Sequence, residues 1–234
     1  MKLKCILITS ISVVCAACAG LGIAYTVKQH KIKAFKEKCD VMPANFNFTA
    51  HTGCMGTDNN TISSIETGIA SGADIIEFDL NFTNSGEPVL AHDTPKGNEV
   101  TLDEAFKKIS EYDNIKVNVD IKNTDNLAIV LPLAEKYGIA DRIFFTGVTD
   151  EFLDDVRKFG NNVPYYLNVS VKPAAQHNEE YLQSLVNKVK QSGAIGINFN
   201  KMNASADLVN VFHSNGLLVS IWTVDDEYNM NRIL

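Results

Sequence analysis

Two apolar runs in this chain carry charge at strand spacing: Glu77 and Asp79 in DIIEFDL, and Asp120 and Lys122 in IKVNVDIK. Residues i and i+2 of an extended strand point to one face, so each pair projects together. Gathering Glu77, Asp79 and Asp120 out of water costs several kcal/mol of desolvation and repulsion unless protons or a cation compensate. A divalent cation is the simplest compensation, and all-oxygen ligation suits Mg²⁺ or Ca²⁺ rather than zinc. Two histidines stand close by in the sequence. His51 ends NFNFTAH, and His92 follows Asp79 by thirteen residues in LAHD. Imidazole titrates near working pH, which suits both for proton transfer. A single acid is usually solvated, and a histidine beside an aspartate is as often structural as functional. Two charged pairs on neighbouring strand-like runs are what point to a site. Cys54, three residues after His51, invites a nucleophile reading, but a lone cysteine is usually packing.

Seven runs rich in β-branched and aromatic residues can position these side chains: NFNFTAH, DIIEFDL, IKVNVDIK, RIFFTGV, VPYYLNV, AIGINFN and LLVSIWTV. Between them lie segments with apolar residues near a helical period, such as TLDEAFKKISEY and EEYLQSLVNKVKQSG. Several end on Gly, and Thr61, Thr101 and Ser205 are placed to cap helix N-termini. A continuous strand and helix alternation predicts a parallel sheet covered by helices. The Gly-rich loops that bind nucleotides do not follow the first strand, so the expected α/β architecture is a (β/α)₈ TIM barrel. The count is one strand short, and the chain is expected to lack the eighth strand, with a C-terminus that stops in the helix-like DDEYNMNRIL. In such a barrel the C-terminal strand ends build the site, so His51, Glu77, Asp79, Asp120 and Lys122 are expected on one rim. Asn198 and Phe145 fit either that rim or the core.

The rest of the chain sets its surroundings. After a basic N-terminus at residues 1–4, residues 5–27 carry no formal charge, and a lysine-rich linker at 28–44 precedes the barrel domain at 45–234. At about 1.5 Å per residue the uncharged run is long enough to span a bilayer core of about 30 Å. It is longer than a usual signal-peptide core and lacks an A-x-A site, so a single-pass membrane anchor is expected over a cleaved signal peptide. Lysines flank both ends and leave the side of the membrane open. Cys15 and Cys18 read as small apolar filler in this run. Beyond residue 38 the chain holds 14 Lys+Arg against 27 acids, a net charge of −13. That excludes nucleic acid as an expected partner and suits a cation. With only Cys39 and Cys54 outside the apolar run, neither a disulfide scaffold nor a zinc ribbon is available.

The ordered motifs HTG at His51, NNT at Asn59, EFD at Glu77, HD at His92, DIK at Asp120 and WTV at Trp222 resemble the glycerophosphodiester phosphodiesterases over residues 45 to 234. The resemblance implies the (β/α)₈ barrel. It implies one divalent cation, Mg²⁺ or Ca²⁺, on Glu77, Asp79 and Asp120. His51 and His92 would be general acid and base, Lys122 would contact phosphate, Asn59 substrate, and Trp222 would wall the site. A glycerol hydroxyl would attack phosphorus, the alcohol headgroup would leave, and water would open the cyclic phosphate. The expected ligand is a glycerophosphodiester or a lysolipid headgroup, with the membrane as a further partner through the N-terminal segment.

The chain departs from the family pattern at three places. Thr52 stands where the family has arginine, Asn59 where it has glutamate, and Asp120 where glutamate is usual. Two other readings follow. One is a phospholipase resembling sphingomyelinase D, which lacks that arginine and releases a cyclic phosphate. The other is a catalytically weak, membrane-tethered binding module.

Overall fold

Apolar and polar side chains that alternate along the strands bearing the acids organise the structure. The computed structural model describes residues 46–233 apart from 176. The chain forms β1 (Thr49–Ala50), α1 (Ile62–Ala70), β2 (Ile75–Phe82), β3 (Pro88–Leu90), α2 (Leu102–Ile109), β4 (Lys116–Ile121), α3 (Val130–Lys136) and β5 (Ile143–Val148). It continues through α4 (Leu153–Phe159), β6 (Tyr165–Asn168), α5 (Glu179–Ser192), β7 (Gly196–Asn200), α6 (Ala206–Ser214), β8 (Leu218–Trp222) and α7 (Glu227–Ile233). Seven strands run parallel in the order β1-β2-β4-β5-β6-β7-β8, and β3 folds back antiparallel on β2. This is the α/β plan of a TIM-barrel-like fold, with seven parallel strands and no pairing of β8 with β1 among the described residues. Residues 46–223 form one compact unit, which holds the sheet and the site; α7 lies in a second unit.

The expected membrane segment at residues 5–27 and its linker at 28–44 lie outside the described residues. Among the described residues no helix is long and apolar enough to cross a membrane.

On β2, Ile76, Phe78 and Leu80 alternate with Glu77, Asp79 and Asn81, and all six are buried. The apolar set packs outward under the helices, with Phe78 against Phe106 of α2 at a ring-centroid distance of 6.3 Å. Val117, Val119 and Ile121 do the same on β4, and Phe145 on β5 is fully buried. Each such side chain stabilises the fold by roughly 1.5–3 kcal/mol. The opposite face of the sheet carries the polar set.

The helices begin where local chemistry starts them. Thr61 accepts a bond from Ser64 N–H, and Ser205 one from Leu208 N–H. Thr101 forms a capping box with Glu104, each satisfying the other's backbone donor. Pro132 sits in the first turn of α3, where its missing N–H has no helical partner to lose.

Candidate active site

The parallel register sets Asp79 of β2 beside Asp120 of β4, and Glu77 beside Asn118. Glu77 and Asp79 are buried, and Asp120 is half-buried. One carboxylate oxygen from each of Glu77, Asp79 and Asp120 lies within 4.8 Å of the others. Lys122, just past the end of β4, reaches into this cluster: its Nζ is 2.9 Å from Asp79 Oδ1 and 2.8 Å from Asp120 Oδ2. Burial alone would lower the lysine's pKa, but the attraction and hydrogen bonds of Asp120 and Asp79 outweigh it and hold it above the usual lysine range.

Glu77 is the most perturbed acid of the cluster. Burial pushes its carboxyl up to about 7, and the nearby charges of Asp79 and Asp120 add to the rise, against the opposing pull of His51 and a bond from Thr52 N–H. Three carboxylates against one ammonium leave the formal charge at −2, which matches a divalent ion. The donor set is oxygen only, as a hard cation requires. The residues therefore fit Mg²⁺ or Ca²⁺.

Neighbouring groups fix each acid. Thr52 N–H donates to Glu77 Oε2 at 2.8 Å. Asn60 Nδ2 donates to Asp79 Oδ2 at 2.8 Å, and Asn60 Oδ1 accepts from Asp79 N–H at 3.0 Å. The Thr146 hydroxyl lies 3.0 Å from Asp120 Oδ1 and 2.8 Å from Asn118 Oδ1, so its single proton serves one of them at a time.

The Thr146 contact depends on an irregularity in β5. Register with β6 shifts between Phe145 and Val148, the mark of a bulge, and Gly147 takes φ 73° there. A Cβ on Gly147 would lie 2.4 Å from Ile121 O and 2.5 Å from Asp120 Oδ1. Only glycine lets β5 approach the acid so closely. Its N–H donates to Asn168 Oδ1, which also accepts from Asn198 Nδ2. Asn198 thus joins the polar interior, while Phe145 belongs to the core.

The histidines flank this cluster differently. His51 follows β1; its Nδ1 is 2.9 Å from Thr52 O, and its Nε2 is 3.9 Å from Glu77 Oε2. A proton on Nδ1, donated to that carbonyl, leaves Nε2 free as a base toward the site. His92 follows β3 and is exposed, with Nδ1 at 2.9 Å from Asp93 Oδ1. The preceding Ala91 N–H donates to Asp79 O, which pins this loop to the strand that carries the acids. Trp222 closes β8 in register with Asn200 and is 42% exposed, at the C-terminal end of the sheet. Asn59 is exposed, with its Oδ1 against Gly53, and the bonds to Asp79 come from its neighbour Asn60.

Residues 44–108 and 94–234 match the family model of the glycerophosphoryl diester phosphodiesterases. The chain belongs to that family. Solved structures in the family share its fold. A Silicibacter pomeroyi protein assigned to the glycerophosphoryl diester phosphodiesterases superposes with a TM-score of 0.67 at 17% identity, covering 82% of this chain and 87% of that one. The glycerophosphodiester phosphodiesterase of Thermotoga maritima gives 0.57 at 17% identity, covering 82% and 92%. An Oleispira antarctica phosphodiesterase solved with its product sn-glycerol-3-phosphate gives 0.62 at 17% identity, covering 80% and 88%. The uncharacterised Bacillus subtilis protein YqiK is 40% identical over 68 residues, which span 29% of this chain and 28% of that protein.

The phosphodiesterase family typically depends on a divalent cation, and the acidic cluster is of the kind that binds one. Sequence reasoning found the three acids, because strand spacing exposes them. It missed Asn60 and Thr146. The asparagine reaches Asp79 through a loop conformation, and the threonine is aimed by a bulge; neither leaves a periodic trace. NNT did mark the right loop, one residue early.

Proposed function

We propose that this protein is a cation-dependent phosphodiesterase that cleaves a glycerophosphodiester to glycerol phosphate and an alcohol. The observation that carries the reading is the cluster of Glu77, Asp79, Asp120 and Lys122, with His51 Nε2 beside it. A divalent cation held by the three acids supplies positive charge for the phosphoryl oxygens.

The chain's own residues do the rest. Lys122 adds a second positive charge where negative charge grows in the transition state. One histidine takes the proton of a glycerol hydroxyl as its oxygen bonds to phosphorus. The other gives a proton to the headgroup oxygen as its bond to phosphorus breaks. The roles then reverse while water opens the cyclic phosphate. His51, oriented by Thr52 O, is assigned the base and His92 the acid. Trp222 is assigned the apolar wall and Asn59 an outer substrate contact. The product held by the Oleispira antarctica relative is the one this reaction forms, which supports the proposed reaction.

We include membrane attachment through residues 5–27 in the proposal, on the length of the uncharged run. The loop from β3 to α2 is short, which favours access by headgroups on a lipid surface.

Phosphorus NMR of the protein with glycerophosphocholine and with lysophosphatidylcholine, in Mg²⁺, Ca²⁺ or EDTA, tests the reading. Glycerol phosphate formed from the first substrate and abolished by EDTA is the expected result. A stable cyclic phosphate from the second would assign the protein to the chemistry of sphingomyelinase D instead. No turnover of either, with the fold and cation binding intact, would overturn the proposal in favour of a binding module.

A further inference from the structure

Like charges on adjoining strands repel, so something outside the strands must fix their orientation. In this chain the segment between β1 and α1 does so for two of the three acids. The path is continuous: Glu77 Oε2 accepts from Thr52 N–H, Thr52 Oγ1 accepts from Asn60 N–H, and the Asn60 amide bonds Asp79 twice. Asn60 has φ 59°, in the left-handed region that asparagine tolerates better than most residues. That conformation turns both amide atoms toward one residue. Asp79 Oδ2 is thereby occupied, and Oδ1 is left facing Lys122 and the centre of the cluster.

We propose that Thr52 and Asn60 are positioning residues, a bracket that presents Glu77 and Asp79 to the cation. Position 52 is then committed to the cation site and not to the substrate phosphate. The inference rests on the reading of Glu77, Asp79 and Asp120 as cation ligands. It gives a physical meaning to a departure from the family pattern, because the link from residue 52 to Asn60 N–H exists only if residue 52 carries an acceptor. Thr52 is 6% exposed. Putting the family's arginine there would remove that acceptor and crowd Asn60, so Thr52→Arg loosens the cation instead of adding a phosphate clamp.

Titration calorimetry of the whole protein with Mg²⁺ and with Ca²⁺ at pH 8, beside circular dichroism, tests the bracket. Thr52→Val removes the acceptor at nearly constant volume. Asn60→Gly removes the amide while keeping a residue at ease with positive φ, so the turn is retained. Each should weaken cation binding by about 10- to 100-fold, the usual effect of losing a partner that orients a ligand. Thr52→Ser should stay within about threefold of wild type, and the double variant should lose less than the product of the single losses because both act through one path. At saturating cation, turnover by the single variants should recover most of the wild-type rate. If Thr52→Val does not fold, Asn60→Gly alone decides. Folded variants that bind the cation as wild type does would overturn the bracket and leave the cation site standing. A wild-type protein that binds neither ion would overturn the site and the bracket together.

Discussion

Glu77 couples the acidic cluster to pH. Its carboxyl is moved from its ordinary value of about 4.5 to about 7, mainly by burial. Between those values the folded chain keeps a proton that the unfolded chain has released. The stabilising contribution is therefore complete below 4.5 and is lost as pH rises through about 7, by on the order of 3 kcal/mol. Glu77→Gln, a neutral side chain of the same size that still accepts from Thr52 N–H, removes this dependence. In EDTA at pH 8 the variant should melt several degrees above wild type, and at pH 4.5 the two should coincide. Scanning calorimetry at the two pH values checks both points; a variant less stable than wild type at pH 8 would show that Glu77 is not held at a cost. Cation binding should reverse the order at pH 8, because only the wild type offers a third carboxylate.

At the scale of elements, β5 shows how a local fault serves the site. Its bulge brings Thr146 to Asp120, and Gly147 makes the approach possible. Gly147→Ala sets a Cβ against Ile121 O and imposes positive φ on an L-residue, which together should destabilise by on the order of 3 kcal/mol. Urea unfolding should show a lower midpoint at unchanged slope, with weakened cation binding in the protein that remains folded. The bulge also marks where the sequence stops being informative. The seven parallel strands were legible because β-branched and aromatic runs recur between capped helices, and Thr61, Thr101 and Ser205 cap as their residue types suggest. The three acids were legible because spacing of two is a property of any strand. β3 was not, since PVL is only three residues long and carries a proline; it exists because β2 has an edge to offer it. Asn60 and Gly147 act through positive φ, which follows from tertiary contacts and not from a pattern along the chain.

Across the whole molecule, the site joins a firmly held part to a loosely held one. β2 pairs with β4 through Ile75–Leu80, with β1 at its start, and with β3 beyond it. The stretch bearing Glu77 and Asp79 is thus laddered to β4 throughout, with β1 covering Ile75 and Ile76 and β3 covering Leu80 to Phe82. His92 lies on the exposed loop between β3 and α2, tied to that strand through Ala91 N–H. This arrangement has a consequence for deuterium uptake. Amide exchange of β2 should require opening of the sheet itself, so Glu77 to Asn81 should be among the last amides to label, while Asp93 to Asn98 should label within seconds to minutes through local fluctuation. Mass spectrometry of pulse-labelled peptides would read the two segments separately. A β2 that labelled as fast as the loop would mean that its pairing with β4 does not hold the carboxylates in place. Slow labelling of β2 beside a fast loop would mean that His92, in its proposed role as acid, can come and go many times during the life of a single, undisturbed cradle of carboxylates.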